Sequence, residues 1–95
     1  MKRFVLLSYG FKTPTPEIMA AWKKWFESIK GNIVEMAGLG AGREISRDGT
    51  KDLPLGLESI TGYVVVNAES LDDAERLARS NPFITSVRVY EVRAH

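Results

Sequence analysis

The 95-residue chain contains no cysteine. That excludes disulfides, thiolate metal sites and cysteine nucleophiles. Its one histidine is His95, the last residue, so no cluster of histidine and cysteine ligands exists to hold a metal. Charge of one sign is also lacking: 13 Lys and Arg stand against 12 Asp and Glu, a net charge of +1. A balance this close to neutral offers no broad electrostatic footprint for nucleic acid or a membrane surface. Long hydrophobic runs are missing too; no stretch approaches the roughly 18 apolar residues of a membrane helix. Residues 1–7 imitate the start of a signal peptide. However, the apolar run of Phe4, Val5, Leu6 and Leu7 stops at Ser8, and no small-residue cleavage site follows. With no repeat, linker or low-complexity segment, the expectation is one cytoplasmic domain over residues 1–95.

What is present is an ordinary globular composition, 44% hydrophobic and 26% charged. The most informative stretch is 60–82. Gly62-Tyr63-Val64-Val65-Val66 is β-branched and aromatic within an uncharged run over 60–67, which predicts a central strand. Ser70 is a good N-cap with Asp73 three residues on, and Asp72 and Asp73 suit the first turn of a helix. Leu71, Ala74, Leu77 and Ala78 then recur at helical spacing, and Asn81-Pro82 stops the helix.

Before this stretch, residues 2–9 read as a first strand. Thr15 caps and Pro16 opens a helix in which Ile18, Trp22, Trp25, Phe26 and Ile29 form one apolar face. Gly31 is its expected C-terminal cap. Residues 33–42 are interrupted by Gly38, Gly40 and Gly42. They predict an irregular entry to a second strand that continues through Arg43-Glu44-Ile45-Ser46. Asp48-Gly49 signals a tight turn, and 50–59 reads as a loop or weak edge element. A final strand covers 86–93, with Val87 and Val89 alternating with Arg88 and Tyr90.

The order β-α-β-β-α-β is that of the ferredoxin-like α+β sandwich, an antiparallel four-stranded sheet with both helices on one face. Nothing remains in so short a chain to cover the second sheet face. A homodimer with two sheets packed face to face, a dimeric α+β barrel, is the expected solution.

Several segments resemble the YCII-related family of small dimeric α+β barrel proteins, including its DGPF-type members. They are the strand ending in Tyr9-Gly10, the helix bearing Trp22, Trp25 and Phe26, and Thr61-Gly62-Tyr63-Val64-Val65-Val66 leading into Glu69-Ser70-Leu71-Asp72-Asp73-Ala74. Asn81-Pro82 and the closing Val87-Arg88-Val89-Tyr90-Glu91-Val92-Arg93 are similar as well. The DGPF motif falls on Asp52-Leu53-Pro54-Leu55, where only Asp52 and Pro54 match. The resemblance implies a ferredoxin-like subunit paired into a dimer, with a pocket between sheet and helices. Some members of the family have been proposed as enzymes using a histidine–aspartate pair. With His95 as its only histidine, this chain does not take over that dyad.

The candidate site residues each carry two readings. Gly38-Leu39-Gly40-Ala41-Gly42-Arg43 reads as a phosphate loop or as a bulged strand with close backbone approach; the GxGxxG spacing is missing, which favours the strand. Trp22, Trp25 and Phe26 are core at helical spacing, yet that face can also line a cavity, with Trp22 and Tyr63 as the expected lining. Asp48, Asp52 and Glu58 are general-base candidates or solvated loop carboxylates, and Asp48 builds the turn. Arg43 and Arg88 suit an anionic group, or are surface arginines with packed stems. His95 reads as a frayed terminal residue.

The expected function is binding of a small aromatic or anionic molecule without a cofactor or metal, by Tyr9, Trp22, Arg43, Asp52, Glu58, Tyr63 and Arg88. Two alternatives stand beside it. One is a cofactor-free enzyme on a small organic acid or phenol, with Tyr9, Tyr63, Asp52 or Glu58 moving protons. The other is an assembly role, which requires a pocket filled by side chains.

Overall fold

The computed structural model describes residues 1–93. His95, expected to fray, lies outside them. Strand β1 (Lys2–Tyr9) is followed by helix α1 (Pro16–Ile29), β2 (Ile33–Gly38), β3 (Gly42–Ser46), β4 (Gly49–Leu53), β5 (Ile60–Ala68), α2 (Leu71–Arg79) and β6 (Ser86–Glu91). Four strands form one antiparallel sheet in the order β2-β5-β1-β6, the ferredoxin-like arrangement. It is an open sheet and not a closed barrel.

Local signals explain most elements. Thr15 Oγ1 accepts from the Ile18 amide at 3.2 Å, and Ser70 Oγ accepts from the Asp73 amide at 3.2 Å, so both helices start where capping predicts. The end of α1 differs from expectation. Gly31 does not adopt a left-handed cap; the chain tightens into a 3-10 turn over Lys30–Asn32.

The second strand is also corrected. It is Ile33–Gly38 itself, bulged between Ile33 and Glu35, that pairs with β5. Residues 43–46 belong elsewhere: β3 and β4 form a separate two-stranded hairpin with Ser46 opposite Gly49. Its turn is Arg47-Asp48, and Gly49 follows at φ +124°, a conformation that favours glycine. Of the two readings for 50–59, a loop or a weak edge element, the second holds as far as Leu53, where β4 ends. The glycine run ends one sheet and opens another. A Cβ on Gly38, Gly40 or Gly42 would meet nothing within 4 Å; the close backbone approach shows instead at Gly62 opposite, where a Cβ would lie 3.2 Å from the Ala37 carbonyl oxygen and 3.8 Å from the Gly38 Cα.

The core lies between the helices and one sheet face. Phe4 and Leu6 of β1, Val64, Val66 and Ala68 of β5, and Ala74 and Ala78 of α2 are buried. The alanines let α2 lie close against the sheet. From α1 come Trp25 and Ile29, and the Trp25 indole N–H donates to the Leu77 carbonyl at 3.0 Å, which ties the two helices together. The other sheet face carries Val5, Leu7, Tyr9, Tyr63 and Val65, only half-buried, with no element among the described residues packed over it. Thus β5 is central as predicted but is buried on one face only.

Candidate functional site

Strand alternation decides where space is left. Towards the middle and far end of the sheet, the helix-facing positions are Phe4 and Leu6 on β1 and Val64 and Val66 on β5, all buried. At the end near Gly10, the same face presents Ser8 paired with Gly62, and Gly62 paired with Gly38. Three neighbouring positions therefore offer one hydroxymethyl group and no other side chain. Above them stands α1, with Ile18, Trp22 and Phe26. Small residues below and aromatic residues above leave an open cavity of about 630 Å³. Phe11, Met36, Val64 and Ile84 complete its apolar walls.

The aromatic wall is braced. The Trp22 and Trp25 rings meet edge to face at 5.8 Å, and Phe26 lies 5.7 Å from Trp22 and 5.2 Å from Trp25. Trp25 belongs to the buried core, whereas Trp22 and Phe26 are half-buried and border the cavity. The stripe read from helical spacing is thus both core and lining.

Polar groups in the cavity are few. Ser8 is only 6% exposed, and strand alternation turns it to the helix side with Phe4 and Leu6. Its carbonyl accepts from the Thr61 hydroxyl at 3.3 Å, but its own hydroxyl has no hydrogen-bond partner among the described residues. At the mouth are three exposed charged side chains, Lys12, Lys23 and Glu27. None of them takes part in an ion pair among the described residues.

The seven expected site residues are not brought together. Trp22 lines this cavity. Tyr63 borders it only through its backbone, since alternation sends its ring to the open face, where its hydroxyl donates to Glu35. That hydrogen bond, with some desolvation and the Glu35 charge, holds the Tyr63 phenol above its ordinary pKa of 10.0. Tyr9 and Arg88 share the open face as well, the Arg88 guanidinium 4.6 Å from the Tyr9 ring centre.

Arg43 and Asp52 face each other across the hairpin and pair at 3.1 Å. Both are largely exposed, so the pair contributes little. Asp52, Glu58 and Tyr9 border a second open cleft of about 760 Å³ at the base of the hairpin. Arg43 and Arg88 therefore do not form one anion site. Asp48 sits in the hairpin turn.

Sequence reasoning missed Ser8, Met36 and Glu35. For Ser8 the signal was available: a hydroxyl in register with Phe4 and Leu6 is a polar residue at a core position.

Comparison with known proteins agrees with this architecture. No family model and no curated protein matches the chain. Among solved structures it resembles 5-chloro-2-hydroxyhydroquinone dehydrochlorinase (TftG) from Burkholderia phenoliruptrix, in complex with 2,5-dihydroxybenzoquinone. The TM-score is 0.61 at 16% identity, over 98% of this chain and 95% of that one. The 30S ribosomal protein S6 of Thermotoga maritima aligns with a TM-score of 0.45 at 16% identity, over 96% of this chain and 87% of that one. At such identity the first likeness supports the fold.

Proposed function

We propose that this chain binds a small aromatic molecule in the cavity between α1 and the sheet, and that it works as a homodimer. The observation that carries the binding reading is the cavity itself. Its volume of about 630 Å³ lies in the range of small-molecule sites, and its walls are apolar and aromatic with few polar groups. The similar dehydrochlorinase was solved with 2,5-dihydroxybenzoquinone, a small oxygenated six-membered ring, which supports a ligand of this size and shape. The sequence segments quoted above, with this fold, support reading the chain as a divergent YCII-type protein, and the lack of cysteine is compatible with a cytoplasmic one.

The dimer reading rests on the open sheet face and on the hairpin. Val5, Leu7 and Val65 on that face are only half-buried, and the exposed Tyr90 stands beside them. Both hairpin strands are exposed along their whole length, with Ile45 82% exposed. An isolated two-stranded hairpin is at best marginally stable in water, so a second surface suits it. A second copy packed sheet to sheet supplies cover for both.

The enzymatic alternative needs Tyr9, Tyr63, Asp52 or Glu58 at the ligand. None of these side chains lies in the cavity, so binding is the better reading. A pure assembly role would require a filled pocket.

The test is an NMR titration with hydroquinone. Binding shifts the Trp22 indole and the amides of Ser8, Gly38 and Gly62. Gly38→Leu, which places a side chain in open space on the cavity floor, abolishes the shifts while the protein stays folded. Shifts confined to the hairpin cleft, or none at all, would overturn the reading.

A further inference from the structure

Resting on that ring-binding reading, we propose that the ligand is an oxygenated aromatic acid, with an oxygen on the Ser8 hydroxyl and its carboxylate at the mouth with Lys12 and Lys23. Two independent observations point the same way. The first is at the floor. Ser8 is 6% exposed, faces the cavity, and its hydroxyl is without a partner among the described residues. A purely apolar occupant would seal that hydroxyl from water and leave it unsatisfied, at the cost of a lost hydrogen bond. A ligand phenol or carbonyl oxygen satisfies it, because a serine hydroxyl both donates and accepts.

The second observation is at the mouth. Two lysines and one glutamate leave a net charge of +1 there, with neither lysine held in an ion pair among the described residues. Lysine is a mobile point charge on a flexible stem, suited to an anion at a solvent-exposed rim. An amine at the same place would meet net repulsion. The walls between floor and mouth are apolar and aromatic, so the part of the ligand between its two polar ends is a ring or another flat apolar body.

The chemistry separates into arms that can be measured one at a time. Dissociation constants are taken by calorimetry for salicylate and its meta and para isomers, for benzoate and for phenol. At least one hydroxybenzoate isomer binds tighter than both benzoate and phenol. Ser8→Ala weakens that isomer by about threefold to tenfold and does not weaken benzoate, which binds as before or more tightly once the unsatisfied hydroxyl is gone. Lys12→Gln with Lys23→Gln weakens benzoate and the hydroxybenzoate by about threefold to tenfold and leaves phenol unchanged. Glu27→Gln acts in the opposite direction and tightens both acids, which a merely structural role for that residue does not predict. Raising salt from about 20 mM to about 500 mM weakens the acids and not phenol.

If phenol binds as tightly as every acid, with no salt dependence, the aromatic-acid proposal falls while the ring-binding reading stands. If the acids bind but ignore Ser8 and both lysines, they bind elsewhere and the proposal falls. If none of these compounds binds, both fall. Ser8→Thr, which keeps the hydroxyl, guards against a folding artefact: it retains more of the hydroxybenzoate affinity than Ser8→Ala does.

Discussion

Two side chains that point away from the cavity show what a single group decides in this fold. Tyr63 donates to Glu35 on the open face, and that bond holds the phenol above its ordinary value. The neutral phenol is the form the bond stabilises. Its contribution is therefore fully present below the unfolded value near 10.0 and is lost as pH rises through the raised folded value. Ultraviolet titration should show a phenol ionising above the ordinary tyrosine range, and Glu35→Ala should return it towards the unperturbed value. Absence of any late-ionising phenol in the parent protein would show that the Tyr63–Glu35 bond does not persist in solution. Asn81 is the second case. It is 5% exposed, and neither its amide nitrogen nor its amide oxygen has a partner among the described residues. Sequence reading placed it correctly as the stop before Pro82, because that signal is local. It could not reveal a buried, unsatisfied carboxamide, because that depends on what packs around it. Such a group costs on the order of 1–3 kcal/mol. Asn81→Leu should thus be neutral or stabilising in urea unfolding, and Asn81→Asp should be destabilising by more than about 2 kcal/mol. A large loss with leucine would mean that the amide is satisfied by water.

At the level of elements, β1, α1, β5, α2 and β6 were legible because each carries a complete local signal. That signal is an alternating or apolar run, or a helical stripe between a cap and a stop. Ser70 illustrates how much rests on one such signal: Ser70→Ala should lower stability by about 1 kcal/mol in chemical denaturation, since α2 would lose the acceptor for the Asp73 amide. The β2–hairpin region was misread for a physical reason. Ile33, Val34, Met36, Ala37 and Leu39 are apolar but interrupted, and the glycines looked like an irregular or bulged entry to one strand that continues through Ser46. They are instead the joint between two sheets. The hairpin carried no usable periodicity, because neither of its faces is buried within the chain. Replacing residues 42–53 by a short Gly-Ser link should therefore leave the four-stranded sheet and the cavity intact. Circular dichroism and the Ser8 and Trp22 resonances would check this. Loss of cooperative unfolding would show instead that the hairpin supports the sheet. The cavity was half legible. The aromatic wall follows from helical spacing, but the gap beneath it depends on the register that sets Ser8, Gly62 and Gly38 side by side across three strands.

The described residues form a slab, 40 by 39 by 18 Å, with the core on one side of the sheet and an uncovered, largely apolar face on the other. The two sides have separate tasks in the reading proposed above: the helix side holds the ligand, and the open side meets a second copy. That separation can be tested by charging the open face. Leu7 and Val65 lie on it, in register with Tyr63 and Val5 across β1 and β5. Leu7→Glu combined with Val65→Glu should convert a dimer to a folded monomer in analytical ultracentrifugation, because two carboxylates facing their symmetry mates would have to be desolvated. The hairpin amides should at the same time lose hydrogen-exchange protection, since in the proposed dimer the surface that shelters the hairpin belongs to the second copy. Ligand affinity should survive the change, because the cavity is bounded by residues of one chain. A parent protein that sediments as a monomer would remove the sheet-to-sheet dimer from consideration. A variant that becomes monomeric and loses ligand binding would show that the partner supports the cavity across the sheet. In that case the two sides of the slab act as one unit, and an interface substitution would change affinity without touching a single residue of the cavity.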